Sequence, residues 1–259
     1  MIITTEAVIL RGINFGDSSR ILTLYTRSHG KLQAMAKAAR RAGNRFGSAL
    51  ETMSYVTAVL YLKETRDIQL LSQCDLMRTF RGLTSDLDRM AAGMAMVELV
   101  NASTQPSDAH ERLFQALVDA LQAADAATKD PRNALYWFEA TLLDELGFRP
   151  NLAACSSCGA MIEPSGRGEK GASISLSPDG VICQRCTAGH RQVERVSEGT
   201  LAVLRRFQEM QNPLEAATIG MTAQVEAEVS ATLRRFLQVH VEGLRFLKSQ
   251  AVFGSLLGG

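Results

Sequence analysis

Only one tryptophan, six prolines and four histidines occur in these 259 residues. No apolar run approaches the ~18 residues that suggest a membrane-spanning helix. The N-terminus, MIITTEAVILRGINFGDSSR, has no basic leader ahead of its apolar residues and no small-residue cleavage pattern, so no secretory signal is expected. The expected location is the cytoplasm, with no membrane partner. Local catalytic motifs are missing too. Gly30-Lys31 lacks both the glycine five residues earlier and the Ser or Thr of a phosphate-cradling P-loop. GRGEKG (166–171) matches G-x-G-x-x-G but follows a Pro-Ser turn and opens no helix, so it reads as a chance match in a loop. His29, His110, His190 and His240 sit in no nucleophile or metalloprotease motif. The expectation is a protein that is not an enzyme.

Acidic residues are missing from one place where they matter. KLQAMAKAARRAGNR, residues 31–45, carries Lys31, Lys37, Arg40, Arg41 and Arg45 and no Asp or Glu, in a chain of net charge +1. Residues 1–80 hold 11 Lys plus Arg against 6 Asp plus Glu, whereas the remainder is net acidic. Such asymmetry points to a part that meets a polyanion. The bland alternative is a solvated loop.

Hydrophobic residues at 46% and charged residues at 21% are those of a folded globular chain. The first 75 residues read as five short strands: ITTEAVIL, RILTLYT, KLQAMA, YVTAVLYL and IQLLSQCD. Gly12 is expected to end the first, and alternation in the second is blurred. Five strands this short suit a small closed barrel, which leaves no unpaired edge. From residue 83 the period turns helical: Leu83, Leu87, Met90, Met94 and Val97 form one stripe, with Ser85 and Asp88 as a candidate cap. Leu113, Leu117 and Leu121 mark a second helix. Asp130-Pro131 opens a third, which Gly147 and Pro150 close. Helices resume at Ser197, and the last is expected to run from Thr222 to Ser249 with His240 packed on its apolar face.

Between the helices stand two cysteine pairs, Cys155-x2-Cys158 and Cys183-x2-Cys186, 24 residues apart. Two such turns can complete a tetrahedron of thiolates around one structural Zn²⁺. An iron–sulfur cluster accepts the same ligands, and a redox pair or ordinary buried thiols remain alternatives. Cys74 reads as a strand core residue.

The start EAVILRGINFGDSSRILTLYT, the basic K-x2-R-R stretch, ELGFRPNLAACSSCG at 145–159 and the late CQRC together resemble the RecO family of bacterial recombination mediators. The resemblance spans essentially the whole chain. It implies an α+β fold: an N-terminal five-stranded OB-fold β-barrel (1–80), an α-helical domain (81–150 and 191–259) and an inserted four-cysteine zinc module (151–190). It also implies a DNA repair and recombination role without catalysis, in which complementary strands are annealed and recombinase is loaded on single-stranded DNA. The implied partners are single- and double-stranded DNA, RecR and the acidic C-terminal tail of single-strand-binding protein. That tail is expected on the helical domain near Arg205, Arg206, Arg234 and Arg235. A nucleoid-associated bacterial protein follows. The basic stretch is carried over as the DNA contact, with Phe15, Tyr25, Phe46 and Tyr55 as nearby rings, of which the two tyrosines are expected to pack in the core. The competing reading is a zinc-containing protein–protein adaptor with a solvated loop.

Overall fold

The computed structural model describes residues 1–162, 172–177, 179–190 and 193–241, with Leu244 and Ser249. GRGEKG and Leu247 lie outside the described residues.

Five strands form first: β1 (Ile2–Phe15), β2 (Ser19–Thr26), β3 (Gly30–Ala36), β4 (Tyr55–Tyr61) and β5 (Ile68–Arg78). They close a barrel in the order β1-β2-β3-β5-β4. All neighbours are antiparallel except β3 and β5. This is the five-stranded OB barrel expected from the sequence. Gly12 does not end β1. Instead a bulge between Ile9 and Arg11 re-aims the strand, so Ala7 and Ile9 fill the barrel while Arg11, Ile13 and Phe15 stand exposed on an arm paired with β2.

The blurred alternation of β2 has a physical cause. Leu22 and Leu24 point into the barrel, and Tyr25 points out into a second core shared with the helices. Val8 and Leu10 do the same on β1. A strand covered on both faces has no polar side to alternate with.

The helices are α1 (Arg81–Ser85), α2 (Leu87–Ser103), α3 (Glu111–Ala126) and α4 (Arg132–Glu145), then α5 (Gln184–Thr187), α6 (Glu198–Glu209), α7 (Pro213–Ala216) and α8 (Ala223–His240). Ser85 is not the cap of α2. It ends α1, and the extended Asp86 accepts from the Arg89 amide. Asp130 does serve α4, since its carboxylate accepts from the Arg132 amide at 2.9 Å; Pro131 precedes the first helical residue. Gly147, at φ +82°, takes the left-handed position after α4. Thr222 caps α8, which ends at His240.

Residues 151–196 contain regular structure that the sequence pattern does not announce. Strands β6 (Ala172–Leu176), β7 (Asp179–Ile182) and β8 (Val193–Val196) pair in the order β7-β6-β8. Their Ile174, Val181 and Val196 join the helical core, as does Leu152. The segment therefore has apolar packing of its own beside the cysteine cluster.

Candidate nucleic-acid interface and metal centre

The basic segment lies on the connection from β3 to β4. Lys37, Arg40, Arg41 and Arg45 are all exposed, and none has an ion-pair partner among the described residues. The connection is held at several points. The Arg40 amide donates to Ser18 O at 2.9 Å, and its guanidinium to Gly16 O at 3.3 Å, tying the cationic turn to the β1–β2 tip. Phe46, Ala49 and Leu50 are buried in the barrel core. Met53, at φ +71°, enters the helical core. Alanine and glycine between the cations keep this turn slim, so phosphate can approach closely.

Lys31 is not with the others. Its ammonium donates to the carbonyls of Asn101 (2.7 Å) and Thr104 (2.6 Å) at the C-terminal end of α2, where a cation meets the negative end of the helix dipole. Burial lowers its pKa. Of the four rings, Tyr25 and Phe46 are buried and Tyr55 is half-buried with its hydroxyl on Glu6. Only Phe15 is exposed. A further residue without a sequence signal is Arg27, which bonds Glu6, Glu111 and Gln115 and lies over the Phe114 ring, fastening barrel to helix α3.

The four cysteines converge. Their sulfurs all lie within 4.8 Å of one another. Two tight turns bring this about. Gly159 N donates to Cys155 O at 2.8 Å, with Gly159 at φ +74°, and Cys183 starts α5, so that Cys186 N donates back to Cys183 O. Strand β7 aligns the turns, as Ser156 N donates to Val181 O at 2.9 Å. A tetrahedral ion with bonds of about 2.3 Å needs sulfurs about 3.8 Å apart, and Cys158 and Cys183 stand 3.7 Å apart. Burial alone would raise the Cys155 thiol, but backbone amides, Cys183 first, outweigh it and bring it down to about 6. The neighbouring Cys183 and Cys158 push Cys186 up to about 12. Sulfurs this close could share one cation. The cluster fits a closed structural metal site with no position left for substrate. Cys74 stands apart in the barrel core, its thiol pushed up to about 12 by burial.

Arg205 fastens this module to α6, donating to Leu152 O (2.8 Å) and Ile162 O (2.9 Å). His240 pairs with Asp179 at 2.7 Å and stacks on Phe148. It is a packed histidine, as its place on α8 suggested.

Two family models cover the chain: Recombination protein O N terminal matches residues 1–80, and Recombination protein O C terminal matches residues 84–250. The chain belongs to the RecO family. It is 34% identical over 256 residues to the DNA repair protein RecO of Anaeromyxobacter dehalogenans, covering 97% of each chain. Its identity to the RecO of Symbiobacterium thermophilum is 33% over 251 residues, covering 97% of this chain and 96% of that one. With the RecO of Chloroherpeton thalassium it shares 28% over 264 residues, 99% and 100% of the two chains. RecO membership supports a DNA-binding, non-catalytic mediator role, and nothing in the site favours an adaptor without DNA. No helix among the described residues is long and apolar enough to cross a membrane.

Proposed function

We propose that this protein is a recombination mediator that grips DNA by phosphate through Lys37, Arg40, Arg41 and Arg45, anneals complementary strands and helps load recombinase on single-stranded DNA. The observation that carries the reading is the anchored connection with four exposed cations and no acidic partner among the described residues. Screening confines electrostatic reach to ~8 Å at physiological salt, so local charge outweighs the neutral total. Phosphate contacts carry little sequence information, which suits annealing of any strand. Lys31 belongs to the barrel–helix junction rather than to this grip. Residues 1–80 act as the DNA-binding barrel, 81–150 with 191–259 as the helical domain, and 151–190 as a module whose four cysteines hold one structural Zn²⁺.

RecR and single-strand-binding protein are the partners in this reading. A groove of about 400 Å³ between the small sheet and α8, lined by Ile174, Leu176, Val193, Glu194, Arg235 and Val239, supports seating of the apolar end of that tail. Arg205 is committed to the module and Arg235 pairs with Glu194.

Reversing Arg40 and Arg41 to Glu tests the grip. DNA affinity is expected to fall strongly, and the log–log salt slope to flatten by about 0.7 per lost contact on single strands and about 0.9 on duplex. Unchanged affinity and slope would mean that the segment is a solvated loop.

A further inference from the structure

The four clustered cysteines are not equivalent. Cys155 is 2% exposed, Cys183 and Cys186 are half-buried, and Cys158 is exposed. One edge of the sulfur cluster therefore meets solvent. The backbone holds the inner corner. The Cys183 amide donates to Cys155 Sγ at 3.3 Å, and the Cys155 amide donates to Ala160 O at 2.8 Å. Cys158 Sγ stands 3.7 Å from Cys183 Sγ, which belongs to the other turn.

The two turns are joined by more than a shared ion. The Ser156 hydroxyl donates to Asp179 O at 2.9 Å, and Val181 N donates to Asn151 O at 2.8 Å. Gly180 lies so close to Asn151 that an added Cβ would collide with its carbonyl oxygen. Behind this contact Leu152, Ile174, Val181 and Val196 are packed in the helical core. Cys158 follows Ser156 by two residues and Cys183 follows Val181 by two. Loss of the ion would therefore leave their sulfurs within reach of one another. A disulfide sets its sulfurs ~2.05 Å apart, so from 3.7 Å each needs to move by less than about 1 Å. A metal-bound cysteine is already a thiolate, and thiolates that reach solvent are the ones oxidants attack.

We infer that Cys158 and Cys183 are a peroxide-sensitive pair whose oxidation expels the zinc. The inference rests on the four-cysteine zinc site proposed above. The Cys158 thiolate attacks one oxygen of hydrogen peroxide: an S–O bond forms, the O–O bond breaks and hydroxide leaves. The Cys183 thiolate then attacks the sulfenic sulfur: the S–S bond forms, the S–O bond breaks and a second hydroxide leaves. Two electrons pass from the sulfurs to the peroxide. The ion is left with Cys155 and Cys186, two ligands of four, and departs to solvent. The new bond spans the two turns as the ion did, whereas a disulfide within either CxxC pair would leave them unlinked. A dithiol reductant with zinc reverses the change.

The test treats the full zinc-bearing chain with hydrogen peroxide beside a chromogenic zinc chelator. About one zinc should be released per chain with the loss of about two thiols, and a peptide map should find Cys158 joined to Cys183. Dithiothreitol and added zinc should restore the metal. C158H and C186H each keep four zinc-binding side chains. C158H should release zinc at least about tenfold more slowly than the unaltered chain. C186H should release it no more slowly and form the same disulfide, and so should C74S. If C158H binds no zinc, the peptide map of the unaltered chain decides alone. Zinc retained under peroxide would overturn the inference and leave the zinc site standing. So would equally fast release from C158H, or a map showing only bonds within a CxxC pair or only sulfinic acids. Protein that holds no zinc when purified under reducing, chelator-free conditions would overturn both.

Discussion

The thioether of Met53 occupies the space that a side chain on Gly93 would fill: a Cβ there would stand 2.6 Å from the Met53 sulfur. Through this contact the connection bearing the cations is plugged into helix α2. Met53→Ala leaves a cavity in the helical core and should cost about 2–5 kcal/mol in chemical denaturation. Faster amide exchange across residues 37–54 is expected with it, because the connection loses its far anchor.

Lys31→Met separates architecture from DNA contact. The carbonyls of Asn101 and Thr104 lose a charged donor, and the expected loss of stability is about 1–3 kcal/mol. The salt slope of DNA binding should match that of the unaltered protein. A flatter slope would place Lys31 on phosphate after all.

Cys183→Ser removes one corner of the thiolate tetrahedron. Elemental analysis of protein purified under reducing, chelator-free conditions should find about one Zn²⁺ per unaltered chain and none in the variant. Proteolysis within 151–190 should accelerate while the barrel's circular dichroism is retained. A chelator applied to the unaltered protein should reproduce both effects.

Glu228 links stability to acid. Burial would raise its pKa, but the Thr200 hydroxyl, the Ser197 amide and Gln224 hold it at about 2, below its ordinary 4.5. The folded state then binds fewer protons than the unfolded one between those values. The contribution is complete above pH 4.5 and disappears as pH falls towards 2. Glu228→Gln should be less stable at neutral pH and should lose less stability than the unaltered protein across that acid range, as followed by thermal melts.

Features governed by local chemistry were legible in the sequence. The cysteine spacing marks Cys155, Cys158, Cys183 and Cys186 as one site, and Gly147, Ser197 and Thr222 mark helix ends by their own side chains or the lack of one. Five β-rich runs give a five-stranded barrel. Features governed by distant partners were not legible. Lys31 reads as one more cation of its segment, because its carbonyls lie 70 and 73 residues away. Phe46 reads as an available ring, because nothing near it in sequence tells whether the barrel's surface is covered, whereas core packing is the expected fate of Tyr25 and the structure buries it. ASISL and VERV are too short and too polar to read as strands until they pair with each other.

The barrel has no watertight boundary of its own. Val8, Leu10, Tyr25 and Met53 face outward from it into the packing of the helices, so a chain severed after residue 80 would leave those four side chains bare. Heating should therefore give a single calorimetric transition, with barrel and helices melting together. The mechanical consequence is larger. If the cationic turn holds DNA as proposed, a pull on the strand runs along residues 40–53 to the packing of Met53 against Gly93 of α2, so the load is handed to the helices rather than stopping at the barrel.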